Sequence, residues 1–242
     1  MSDRSFLRAG GVAGILLALT AWLSVAEYYA LVPAAQQVAL TGTRDPNTYL
    51  TSLSQGATGL LIFNGLYALF AFWSLVGIIA VYFRLRANGE AWAFFGTFVG
   101  AFAAAATIVS SVGDVARLRF LAESTAIPEG HLKDLMGVTA LNYAFREPSA
   151  ANPFGIVTFM LSALWFLVVA ALMWRGGFPR PLALLGAVAF ADLTAGFVAS
   201  LAGATALATV AALVAGGLGG PVFWLWLGIL LWRDARPRLG SL

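Results

Sequence analysis

Long uncharged stretches separated by short polar segments carrying the charges set the pattern of this chain. Uncharged runs extend over Ala9–Ala26, Ala57–Phe83, Ala91–Gly113 and Pro153–Trp174, and a last one of 40 residues over Leu193–Trp232. An α-helix rises about 1.5 Å per residue, so about 20 apolar residues cross a hydrocarbon layer of about 30 Å. The first four runs each suit one crossing, and the last is too long for a single one. Dividing it near residues 203–208 predicts spans at about 6–32, 57–83, 91–120, 153–174, 181–203 and 209–232. The expectation is an all-α fold, a polytopic membrane helix bundle of six transmembrane helices forming one transmembrane domain over residues 1–242.

The breaks carry turn chemistry. Asp45-Pro46-Asn47, Asn88-Gly89 and Gly176-Gly177-Phe178-Pro179 read as turns, and Gly216-Gly217 with Gly219-Gly220-Pro221 predicts a kink or a late start in the last helix. Two loops are long, 33–56 and 121–152. In the first, Tyr49, Leu50 and Leu53 are spaced for one short interfacial turn. In the second, Leu132, Leu135, Met136, Leu141 and Tyr143 are spaced for an amphipathic helix lying on the bundle. The basic start with Ser24-Val25-Ala26 also fits a cleavable signal. It is read here as an uncleaved first span.

Composition agrees with the pattern. The 242 residues are 60% hydrophobic and 10% charged, against about 25% charged in a soluble domain, with a mean hydropathy of +0.86. The net charge of +3 does not point to nucleic acid, because the arginines stand singly or in pairs at span ends. Nine Lys and Arg residues fall in the two termini and the 84–90 and 175–180 turns; five fall on the opposite side among acids. Positive charge concentrates in cytoplasmic segments, which predicts cytoplasmic N- and C-termini and two outward long loops. Residue absences exclude chemistry. Without cysteine there is no thiolate metal site, iron–sulfur cluster or cysteine nucleophile. The single histidine, His131, and single lysine, Lys133, lie in a loop, so bis-histidine haem and a buried Schiff base are excluded. No cofactor and no metal are expected.

Five residues are candidates for a ligand or proton pocket: Glu27, Asn64, Asp114, Arg117 and Asp192. Polar side chains inside spans are costly and tend to face a bundle interior or a cavity. Asp192 stands eleven residues beyond Pro181, about 16 Å deep, where an acidic residue costs about 2.5–3.5 kcal/mol. It is therefore expected to be protonated or hydrogen-bonded to Asn64, Tyr67, Thr107 or Ser110, with a helix-packing bond as the structural alternative. Asp114 and Arg117 have i,i+3 spacing for an ion pair ending a helix. Glu27, beside Tyr28 and Tyr29, suits a cation or an outward-reaching carboxylate. Phe223-Trp224-Leu225-Trp226 and Trp232 are expected to face lipid and anchor the interface. Gly10-x-x-x-Gly14, Gly96-x-x-x-Gly100 and Gly196-x-x-x-Ser200 permit close helix approach. No Gly-x-Ser-x-Gly or phosphate-loop motif occurs.

Gly176-Gly177-Phe178-Pro179-Arg180-Pro181-Leu182-Ala183-Leu184-Leu185-Gly186, the closing Pro221-Val222-Phe223-Trp224-Leu225-Trp226-Leu227-Gly228-Ile229 and the opening Arg8-Ala9-Gly10-Gly11-Val12-Ala13-Gly14-Ile15-Leu16 together resemble a widespread bacterial family of six-helix integral membrane proteins of unknown function. That family usually carries a glutamate just before the tryptophan stretch, where this chain has Gly219-Gly220-Pro221. The resemblance implies six spans in a bacterial-type inner membrane and no particular activity. The functional expectation is non-enzymatic binding or transport of a small or lipophilic ligand, with membrane lipids around it. The alternatives are an accessory or structural subunit with a membrane-protein partner and, third, an intramembrane enzyme.

Overall fold

The computed structural model describes residues 3–37, 46–123, 153–202 and 213–235, with isolated residues of 130–139 and 204–211. The described residues form seven α-helices: α1 (Asp3–Leu31), α2 (Pro46–Ser54), α3 (Thr58–Leu85), α4 (Glu90–Glu123), α5 (Pro153–Arg175), α6 (Arg180–Leu201) and α7 (Gly220–Asp234). A π-helical segment, Val214–Gly219, leads directly into α7. Among the described residues there is no strand, and six helices are long and apolar enough to cross a membrane. The molecule is thus a multi-pass membrane protein by the length and composition of its helices. The end bearing residues 3, 85, 180 and 234 is called below the terminal end, and the other the loop end.

The six long helices form a ring in chain order. α1 packs between α3 and α7, α3 on α4, α4 on α5, and α5 on α6; α6 meets α7 and its π segment to close the circuit. Small residues permit these approaches, since dispersion between close backbones substitutes for the hydrophobic drive that lipid does not supply. A Cβ on Gly14 would lie 2.8 Å from the Trp224 carbonyl and 2.9 Å from Gly228 Cα; one on Gly11 would lie 2.8 Å from the Trp232 nitrogen. Gly10 faces Ala80 of α3. Gly96 and Gly100 admit Val168 and Trp165 of α5, and Gly196 faces Ala211 and Phe159. The side chain of Ser200 lies outside the described residues.

Aromatic side chains fill the middle of the ring. Trp165 of α5 stacks on Trp224 of α7 at 5.0 Å with 10° between the ring planes, and Phe166 meets Phe223 edge-on at 5.1 Å. Trp224 lies over Gly77 of α3, where a Cβ would come within 2.6 Å of the ring. Phe223 and Trp224 are core residues, 0% and 4% exposed, which corrects their expected lipid-facing position. The physical reason is that both faces of a membrane helix are apolar, so composition alone does not separate core from lipid. Trp232 does remain partly exposed.

At the terminal end, Arg84 pairs with Asp234 at 2.7 Å and Arg86 with Asp3 at 2.6 Å, joining α3 to α7 and to α1. Exposed pairs of this kind contribute about 0.2–1 kcal/mol each. At the loop end, α2 is more than an interfacial turn. Tyr49, Leu50 and Leu53 are among the most buried side chains, packed with Val32, Ala57, Leu60, Leu118 and Leu121. Gln36 holds this lid by donating from Nε2 to the carbonyls of Ser52 and Gly56, both at 2.9 Å. Met136 packs against the same cluster, whereas Leu135 is exposed. The remainder of the expected amphipathic helix, Leu132, Leu141 and Tyr143, lies outside the described residues.

Candidate functional site

α1 and α3 run antiparallel, and three contacts set their register. Gly10 meets Ala80, the Tyr28 and Phe63 rings lie 5.0 Å apart, and a Cβ on Gly59 would sit 2.7 Å from the Leu31 carbonyl. In this register Glu27 and Asn64 stand at the same level along the two helices. Both lie on inward stripes at helical spacing: Ala13, Leu17, Thr20, Ser24 and Glu27 on α1; Leu60, Asn64, Ala71, Ser74 and Ile78 on α3. Glu27 is 7% exposed and Asn64 2%.

Neither residue has its polar atoms satisfied. Both Glu27 carboxylate oxygens are buried, and neither has a hydrogen-bond partner among the described residues. Asn64 donates from Nδ2 to the Leu60 carbonyl at 2.7 Å, and its Oδ1 is buried and unpartnered. The hydroxyls on the same stripes are turned to their own helices: Thr20 to the Leu16 carbonyl, Ser24 to Ala21, Ser74 to Ala71 and, on α4, Thr107 to Ala103. Among the described residues, the buried atoms left without a partner at this level are acceptors. A buried carboxylate without a donor is costly, and native structures generally satisfy such a group.

This level lies between two packed clusters. Toward the loop end lies the cluster under α2, beginning at Val32, five residues from Glu27, and at Leu60, one turn from Asn64. Toward the terminal end lies the Trp165–Trp224 stack, whose α1 neighbour is Gly14, about 20 Å of helix from Glu27. On α3, aromatic rings climb the helix beside Asn64. Tyr28 meets Phe63, Phe63 stacks on Tyr67 at 5.9 Å, and Tyr67 stacks on Phe70 at 5.5 Å. Tyr67 is 37% exposed, so the ladder runs from the buried pair toward the lipid-facing side.

The remaining candidates stand on other helices. Arg117 Nη1 donates to Asp114 Oδ1 at 3.1 Å, the i,i+3 ion pair expected from their spacing. Asp192 accepts a hydrogen bond from the backbone N–H of Ala215 at the start of the π segment, and its Oδ2 is buried without a partner. The donor is thus a main-chain group of the π segment that precedes α7; Asn64 and Thr107, two of the expected partners, bond within their own helices. The late start predicted for the last helix takes the form of this π segment. Gly220 N–H bonds the Ala215 carbonyl, five residues back, and Pro221 supplies no N–H of its own.

The Tyr28–Phe63–Tyr67–Phe70 ladder was not anticipated. Its signal was present, because Phe63, Tyr67 and Phe70 stand at i, i+4 and i+7. A shallow cleft of about 10 Å³, room for about one water, lies elsewhere, between α3, α4 and α5 and lined by Val81, Leu85, Gly96 and Val168. In comparisons with family models, curated proteins and solved structures, none matches this chain.

Proposed function

We propose that this protein binds or transports a small or lipophilic ligand through an intramembrane polar pocket centred on Glu27 and Asn64. The observation supporting the reading is the buried Glu27 carboxylate, both of whose oxygens lack a partner among the described residues, at the level of an equally unpartnered Asn64 Oδ1. A bundle that needed only helix contacts gains nothing from an unsatisfied carboxylate, whereas a ligand that binds the folded state repays the cost on occupancy. Asp192, with its free Oδ2 at the π segment, is a second polar point in the same half of the bundle, and Asp114–Arg117 marks its rim. The role is non-enzymatic. The protein resides in the plasma (inner) membrane of a bacterium, in keeping with the family it resembles, with membrane lipids around it. Both termini are cytoplasmic and the α2 end faces outward, as the arginine distribution favours.

Native mass spectrometry of the full chain, extracted gently from its own membrane, tests this. A discrete small molecule carried by the wild type and lost on Glu27→Gln is the expected result. A second polypeptide at fixed stoichiometry, with no small molecule dependent on Glu27, would replace it with an accessory subunit of a membrane complex.

A further inference from the structure

We infer that the ligand class of this site is a lipophilic monovalent organic cation, a protonated amine with an apolar body. The inference rests on the pocket reading above and names what fills it. Every unsatisfied atom of the buried pair is an acceptor: Glu27 Oε1 and Oε2, and Asn64 Oδ1. A carboxylate repels an anion, and a neutral acceptor leaves it unpaired. An ammonium supplies up to three N–H donors and one positive charge, which matches the single carboxylate.

The neighbouring side chains distinguish an organic ammonium from a metal ion. A hard divalent cation such as calcium takes about six to eight oxygens. Beside Glu27 and Asn64 the structure places rings instead: Tyr28, Phe63, Tyr67 and Phe70, each 5.0–5.9 Å from the next. Ring faces attract organic ammonium groups and pack against hydrocarbon, so one wall serves both ends of such a ligand. Its geometry also suits a lipophilic body. The α2 lid covers the pair from the loop end and the tryptophan stack fills the ring toward the terminal end, while the ladder leads to the half-exposed Tyr67. The apolar part lies along the ladder in the α1–α3 seam, and the ammonium reaches inward to Glu27.

The test is isothermal titration of the full chain in a neutral maltoside micelle with 4-phenylbutylammonium, and with 4-phenylbutanol as the uncharged counterpart. Saturable binding of the ammonium is expected, weakened at least tenfold by Glu27→Gln. Phe63→Leu and Tyr28→Leu should each weaken it by about 2- to 30-fold. Glu27→Gln is isosteric, so the fold is retained; the ring variants give an independent reading without altering the carboxylate. Equal binding of the ammonium to wild type and Glu27→Gln, or no saturable binding to the wild type, overturns the cation class. If the alcohol, or a neutral molecule found by native mass spectrometry, binds in a Glu27-dependent way while the ammonium does not, the pocket stands and only the cation class fails. If no ligand of any kind depends on Glu27, both fall.

Discussion

Glu27 and Asn64 pull against the stability of the ring that contains them. A carboxylate inside a membrane helix is costly, and among the described residues Glu27 has no donor to offset it. In ligand-free protein, Glu27→Gln should therefore unfold at a higher temperature or denaturant concentration, by about 1 kcal/mol or more. Thermal and SDS unfolding followed by circular dichroism measure this; a clear loss of stability would show that the carboxylate is partnered in the fold, contrary to the pocket reading. Trp165 behaves oppositely. It is 3% exposed and stacked on Trp224, so Trp165→Ala should cost about 3–5 kcal/mol in the same assay. At this scale the sequence revealed depth and concealed rotation. The positions of Glu27, Asn64 and Asp192 along their helices were legible from residue counts. Which of them meet depends on how each helix turns about its axis, and apolar residues on every face leave that unspecified.

Between helices, the contacts are set by what is missing from glycine. At Gly14 an added side chain would meet Trp224 and Gly228 main-chain atoms, which cannot swing aside. Gly14→Leu should therefore force α1 from α7 and cost about 1–3 kcal/mol. Gly65, with nothing within 4 Å of its would-be Cβ, is the matched control. Gly65→Ala should leave stability unchanged or raise it by up to about 0.5–1 kcal/mol through helix propensity. Unfolding in detergent ranks the two, and similar losses at both sites would contradict the α1–α7 packing. The Gly10 and Gly14 pair was visible in the sequence as a close-approach motif, but its partner Gly228 stands in α7 and no local pattern links them. The α2 lid was underread for a related reason. Tyr49, Leu50 and Leu53 gave the spacing of one helical turn, whereas their burial comes from Leu60 of α3, Leu118 and Leu121 of α4, and Val32 just after α1. The π segment was foreshadowed by its glycines and Pro221; the Asp192 contact that engages Ala215 crosses from α6 and was not.

For the whole molecule, the spans were legible because bilayer thickness and helix rise leave little freedom in length, so the expected boundaries at 6–32, 57–83 and 91–120 lie close to α1, α3 and α4. Ring order adds something the spans alone did not contain: each long helix packs on its neighbours in sequence, and α1 is held between α3 and α7. Such a ring is the same object whichever way it is inserted, so its direction rests on charge alone. The terminal end gathers Arg84, Arg86, Arg175, Arg180 and Arg233, and two of these are held by Asp234 and Asp3. Fixed in this way, the arginines still bias insertion, since acidic residues contribute little to the positive-inside effect. The chain contains no cysteine, so single substitutions report on sidedness without background. Ala34, after α1 at the loop end, and Ala87, between α3 and α4 at the terminal end, are both exposed. In intact cells a membrane-impermeant maleimide should label Ala34→Cys and spare Ala87→Cys, and lysis should make both reactive. The reverse pattern would place the α2 lid in the cytoplasm, and the Glu27 site would then be loaded from the inner side of the membrane.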